Sequence, residues 1–500
     1  MSMVRALRLT LLFSLALTAG RALAAGEGQA DLDKAEEAKL SATAFSDLGE
    51  VIRLADSAIK KGLDKANTDF AKRLLAATLR QRAQIAAERL KKPSTMDELR
   101  QNRQAAVADL ERAVELDSKQ PSAFLLLAEL HMLPGGTVKD ARQALDKAIA
   151  LGIEDPAERA TALMQRGSLQ EQPEKKLADF NEAIKLFPNA VGALRARRDL
   201  LIRMGKLDAA VADLDRLIKL KPDDANAYEE MAQLLDSLKR YDEALAALDK
   251  LRKLRPSSAR PLLQIAVVHM HQHKLDMALA DLEKARTVDP ADVGVLVLRA
   301  SVYAEKGDKK KAMADGDEAL RLQPNVPMVV RTHALLLAQN GRLDDAAADL
   351  EKLLKSAPKD TDTLLQLAGL QIAQDRPIKA VETFSAVLAA DPTEWQAFRG
   401  RGDVYLDLGR QADALADYEK AVKLQPKDQG VLNNLAWLLA TSPEAKLRDG
   451  RRAVKLATDA SEATGYKAAY ILSTLAAACA EAGDFPSAVK WATKAVELGE

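Results

Sequence analysis

The chain has 500 residues, 73 Lys plus Arg against 73 Asp plus Glu, 48% hydrophobic residues, 4% aromatic residues and a single cysteine. Acids and bases interleave to a formal charge of zero, which leaves no field to gather a phosphate backbone and excludes nucleic acid as an expected partner. One thiol excludes an internal disulfide framework or a Cys-based zinc site, and 29% charged residues beside the apolar 48% exclude both a membrane-embedded and a disordered chain. At roughly 150 residues per domain the length suggests about three domains, Ala- and Leu-rich and all-helical.

At the amino terminus Arg5 and Arg8 precede a mostly apolar run from Leu9 to Ala19, and Ala22-Leu23-Ala24 places small residues where a signal peptidase reads. The pattern predicts a signal peptide over 1–24 and an exported protein, periplasmic or secreted from a bacterium. Retention as an anchor is the alternative, because Arg21 lies close to the cut. The run is shorter than the ~20 apolar residues of a bilayer span, so no integral span is expected after cleavage. Cleavage takes Arg5, Arg8 and Arg21 and no acid, leaving a slightly acidic chain. Residues 25–43 read as a linker.

Residues 44–120 read as divergent helical repeats, with Ala106, Leu110, Ala113 and Leu116 as one apolar stripe. Residues 121–155 give a helix pair with Ala128 and Ala141 at its small places and a turn at Gly135-Gly136; 157–190 keep Phe180, Ala183 and Pro188 but put Lys176 at a small place. From there Pro188, Pro222, Pro256, Pro290, Pro324, Pro358, Pro392 and Pro426 follow at a constant interval of 34 residues, a period that marks stacked repeats. In blocks counted from 191, the eighth place holds Ala232, Ala266, Ala300, Ala334, Ala368 and Gly402. The twentieth holds Ala210, Ala244, Ala278, Ala312, Ala346, Ala380 and Ala414. Small residues there let two antiparallel helices approach, and Gly205, Gly307, Gly341 and Gly409 fall between them where a left-handed residue ends the first helix.

This spacing resembles the tetratricopeptide repeat (TPR), most closely in AYEEMAQLLDSLKRYDEALAALDKLRKLRP (227–256) and AFRGRGDVYLDLGRQADALADYEKAVKLQP (397–426). The resemblance implies an all-α, right-handed superhelical solenoid of about eleven or twelve helix pairs, with the TPR array over 121–428 and in strict period from 157. The aromatic usual at the twenty-fourth place is mostly Leu (Leu214, Leu248, Leu282, Leu350) and once Gly316, which predicts a softer seam there. Residues 429–500 read as an extended unit with an insert around 441–450 and a terminal unit.

In such a stack the first helix of each pair lines an inner groove, through its second, fifth, ninth and twelfth places. These places supply the candidate partner-binding residues: Arg260, Leu263, Val267, Met270, Val297, Met328, Arg331, Leu335, Leu365, Ile372, Asn433 and Trp437. An apolar strip with charges at its margins predicts a peptide or protein partner, with Trp437 as anchor. The carboxylate clamp of some TPR domains is not matched, since Arg399 and Asp403 stand where Lys and Asn belong. Trp491 on the last helix predicts self-association through the C-terminal repeat.

Chemistry is not expected. His269 and His273 lie one helical turn apart, but His269 takes a core place held by Tyr303 and Tyr405 in other repeats. Arg401-Gly402-Asp403 spells an adhesion tripeptide inside a helix, and Cys479 takes a packing place. No phosphate loop, nucleophile elbow or zinc-protease motif occurs, so no catalytic, metal or cofactor residues are assigned. The sequence reads as a non-catalytic interaction scaffold. The alternative is an accessory subunit of an envelope polysaccharide- or protein-export machine, or an enzyme with an unrecognised site.

Overall fold

The computed structural model describes residues 27–90 and 95–499, which among them form 26 α-helices, one 3₁₀ turn and short connections, with no strand. The expected signal peptide, residues 1–24, lies outside the described residues. No described helix is long and apolar enough to cross a membrane. The chain divides into two units, Met1–Lys250 and Leu251–Glu500.

The first unit carries α1 (Gln29–Ser41), α2 (Phe45–Lys61), α3 (Lys65–Leu90), α4 (Met96–Leu116), α5 (Pro121–Met132), α6 (Val138–Leu151), α7 (Pro156–Leu169), α8 (Pro173–Leu186), α9 (Val191–Arg203), α10 (Leu207–Leu220), α11 (Ala225–Ser237) and α12 (Tyr241–Leu254), within which the division falls. Residues 29–41, expected as part of a linker, are instead a packed helix with Leu32 and Ala35 fully buried. Two small apolar contacts on an otherwise polar helix suffice to dock it, because Gly28 sits so close to Ala58 that no Cβ fits between them. The second unit carries α13 (Arg260–His271), α14 (Leu275–Val288), α15 (Val293–Glu305), α16 (Lys309–Leu322), α17 (Pro327–Gln339), α18 (Leu343–Ser356), α19 (Thr361–Ala373), α20 (Pro377–Ala390), α21 (Trp395–Asp407), α22 (Gln411–Leu424), α23 (Gln429–Thr441), α24 (Gly450–Ala463), α25 (Ala469–Glu481) and α26 (Phe485–Gly499).

Each repeat is an antiparallel pair closed at its small places. Ala266, Ala278, Ala300, Ala312, Ala334, Ala346, Ala368, Ala380 and Ala414 are all buried, as are Ala210, Ala232 and Ala244. Gly205, Gly307, Gly341 and Gly409 take φ of 70° to 79° between the paired helices, and Lys239, His273 and Asp375 hold the same left-handed place at φ 56° to 59°. Gly316 does not open the seam expected there. A Cβ at Gly316 would meet Leu336 Cδ1 at 2.8 Å, so a large side chain from the next repeat fills the space its own lacks. Pro-x-Asp ends four of the linkers: the Asp224, Asp292, Asp360 and Asp428 carboxylates accept backbone N–H groups in the first turn of the following helix.

A polar ladder runs between repeats. Arg299 donates to Asp315 of its own repeat at 2.7 and 2.6 Å and to Glu283 of the preceding one at 2.7 Å. The same places carry Arg401 with Asp417 and Ser385, and Arg197 with Asp213 and Asn181. His333 substitutes for arginine, its ring nitrogens facing Asp349 and Asp317 at 2.6 and 3.0 Å.

Candidate partner-binding surface

Several first helices also touch the first helix of the next pair: α13 meets α15, α15 meets α17 and α17 meets α19, while second helices of successive pairs come less close. The first-helix side of the second unit is therefore its inner side, and the candidate residues divide on it by burial. Met328, Leu335, Ile372 and Trp437 are exposed large apolar residues, Leu335 at 50% and Trp437 at 45%. Arg260 is exposed, and Leu263, Val267, Met270, Arg331 and Leu365 are half-buried.

Two expected surface residues are buried. Val297, 9% exposed, packs with Leu296, Ala319 and Val329, because Gly294, Ser301 and Ala304 on the same face let α15 and its neighbours close over it. Asn433 is 8% exposed. Arg331 is no loose marginal charge either: it holds Asp360 at 3.2 Å and Asp362 at 3.5 Å, and its carbonyl accepts Gln366 Nε2–H from α19 at 2.9 Å.

At α21 and α23 the surface turns polar. Asp403 accepts Tyr418 Oη–H at 2.6 Å and Asn434 Nδ2–H at 2.8 Å. Burial pushes the Asp403 carboxyl above the usual carboxylate range, against the opposing pull of Tyr418, Arg399 and Asn434. Burial, then the Asp403 charge, pushes the Tyr418 phenol up as well. Tyr470 on α25 adds a second exposed aromatic that the sequence reading missed, although it stands at the second place of its repeat, as Met328 does in its own.

The features weighed for chemistry take structural roles. His269 is buried and bonded to Asp281 at 2.9 Å, whereas His273 is the left-handed turn residue, so the two part company. Arg401 is tied to Asp417, and Gly402 lies where a Cβ would press on Tyr418 at 2.8 Å. Cys479 is buried, with burial and then the Asp484 charge raising its thiol. Trp491 stacks on Tyr466 at 5.3 Å. In the first unit a shallow cavity of about 260 Å³ lies between Met164, Phe187 and Val191.

Models of the tetratricopeptide repeat match residues 100–156, 195–259 and 263–327, residues 337–402, and residues 395–428, together more than half of the chain. Among similar solved structures, yeast Tom70 is 18% identical, with 85% of this chain and 92% of that one covered and a TM-score of 0.42. A tetratricopeptide repeat protein from Parabacteroides merdae is 17% identical over 49% of this chain and 97% of its own, with a TM-score of 0.39. YrrB, a TPR protein with an unusual peptide-binding site, is 23% identical over 37% and 96%, with a TM-score of 0.30. No curated protein matches the chain.

Proposed function

We propose a function from one premise: the chain belongs to the tetratricopeptide-repeat family. TPR proteins bind peptides or proteins and generally act as non-catalytic scaffolds, and this chain carries that interaction architecture. Its finer role is to hold a peptide or protein segment along the first-helix side of the second unit. The observation that carries this is the exposure of Met328, Leu335 and Ile372 on successive first helices α17 and α19, an apolar strip on the inner side. These side chains are about half exposed, so covering each contributes about half of the roughly 1.5–3 kcal/mol that full burial gives. The balanced charge supports a protein partner over nucleic acid.

Changing Met328, Leu335 and Ile372 together to Glu abolishes capture of that partner while far-ultraviolet circular dichroism stays unchanged. Capture that survives the triple change means another surface does the work. Val297, a core residue, is no part of this test.

Two further parts of the reading rest on other observations. Arg5, Arg8 and the apolar run after them support export, and residues 1–30 fused to alkaline phosphatase should yield activity in a bacterial periplasm; a cytoplasmic, inactive fusion contradicts it. On α26, Phe485, Val489 and Val496 are exposed along one stripe, which supports self-association. A monomer mass by light scattering at every concentration contradicts that part.

A further inference from the structure

The second helix of each pair closes its own repeat with one face and receives the next repeat with another. In α18, Leu343, Ala347, Leu350 and Leu354 follow at spacings of four, three and four residues, and their cluster takes in Leu367 and Leu370 of the next first helix, α19. The corresponding Val381, Phe384 and Leu388 of α20 join Ala397 and Val404 of α21. In α22, Leu415, Tyr418 and Val422 pack with Leu435 and Leu439 of α23. This stripe is the seam along which the repeats stack.

Helix α26 carries the same stripe, and among the described residues nothing covers it. Its four places are Phe485, Val489, Ala492 and Val496, all exposed, the three large ones at 66%, 67% and 61%. Its other face does the usual work of a second helix, with Ala488 and Trp491 packed against Ala453, Leu475 and Cys479 of α24 and α25. Lys490 and Lys494 lie over the Trp491 ring at 4.5 and 5.9 Å, which leaves the stripe free of charge.

Inside the array, such a stripe is covered by an apolar helix face running antiparallel to it. A second copy offers that face on its own α26. It does not offer it on α1, which turns Asp33, Lys34, Glu36 and Glu37 outward, so copies do not add head to tail through that helix. The four-three-four spacing reads the same in both directions. Laid antiparallel on a second α26, Phe485 meets Val496 and Val489 meets Ala492, large against small, and both contacts share one midpoint between residues 490 and 491.

We propose that two copies of this chain pair α26 to α26, antiparallel about a two-fold axis, each helix taking the place that a next first helix takes within the array. The proposal rests on the self-association read from this stripe and adds its geometry and its closure at two copies. The dimer carries two inner surfaces, so a partner with two binding segments is held by both. One helix from each copy buries less than the roughly 1,200 Å² of a standard interface, so the dimer should dissociate on dilution through the micromolar range.

The test uses full chains carrying Phe485→Cys or Val496→Cys, one of them with a mass tag, oxidised alone and mixed. Both positions are exposed, so folding is retained, and the unaltered chain, whose Cys479 is buried, gives the background. The Phe485→Cys chain should form a disulfide with the Val496→Cys chain roughly tenfold faster than with itself. By light scattering at about 100 µM, Val489→Glu should lower the dimer fraction several-fold. A Phe485→Cys chain that links to itself as fast as to Val496→Cys overturns the antiparallel arrangement and leaves self-association standing. A dimer that Val489→Glu does not weaken overturns α26 as its seat, again leaving self-association. A monomer mass at every concentration overturns both.

Discussion

Arg299 is almost wholly enclosed, with both oxygens of Asp315 and one of Glu283 on its guanidinium, and so it shows what a single residue does in this fold. It ties the two helices of one repeat and pins that repeat to the one before. Removing one partner of such a buried pair leaves an uncompensated charge and costs about 3–5 kcal/mol, whereas replacing both by apolar residues is near neutral. Asp315→Ala should therefore lower stability to urea by about 3–5 kcal/mol, and Arg299→Met with Asp315→Leu should recover most of it. A double variant as unstable as the single one contradicts the pairing. The pairs Arg197/Asp213, Arg299/Asp315 and Arg401/Asp417 share one spacing and stand at multiples of the repeat period, so they were present in the sequence. They escape a reading built on small and apolar residues because only some repeats carry them. The third partner, whether Asn181, Glu283 or Ser385, also comes from the neighbouring repeat and changes type each time.

At the scale of the helix, proline and glycine were the legible signals and the aspartates the unread ones. The proline period and the glycines set where helices stop, and the structure places each at a terminus or a left-handed turn. The aspartate two residues after Pro222, Pro290, Pro358 and Pro426 starts the next helix by taking its free N–H groups. Asp428→Ala should cost about 1 kcal/mol, read as a lower urea midpoint at unchanged slope. Asp428→Asn, which keeps the acceptor, should lose only a fraction of that; equal losses contradict the capping role. Helix α1 and the burial of Val297 were not legible. The first is docked by Leu32 and Ala35 on a polar helix, and the second depends on how closely α15 approaches its neighbours, a distance that no periodicity within one repeat states.

At the scale of the whole molecule, the suggestion of about three domains gives way to stacked pairs whose cores draw on adjacent helices. One cluster joins Val330, Ala346, Leu350 and Leu367 across α17, α18 and α19, and another joins Leu364, Ala380, Phe384 and Ala397 across α19, α20 and α21. Stability built from nearest neighbours is not lost when distant repeats are removed. Residues 259–500 expressed alone should keep their helical content per residue and unfold cooperatively, and a fragment that is largely unfolded contradicts this.

The central claim, that a partner lies against first helices, is tested most directly by photo-cross-linking. Benzoylphenylalanine at Leu335 or Ile372 should form adducts with the same partner in the native cell, and at Lys352 or Glu382, exposed on the second helices α18 and α20, it should form none. Adducts confined to Lys352 and Glu382 would contradict the account and move the binding surface to the other side of the repeats.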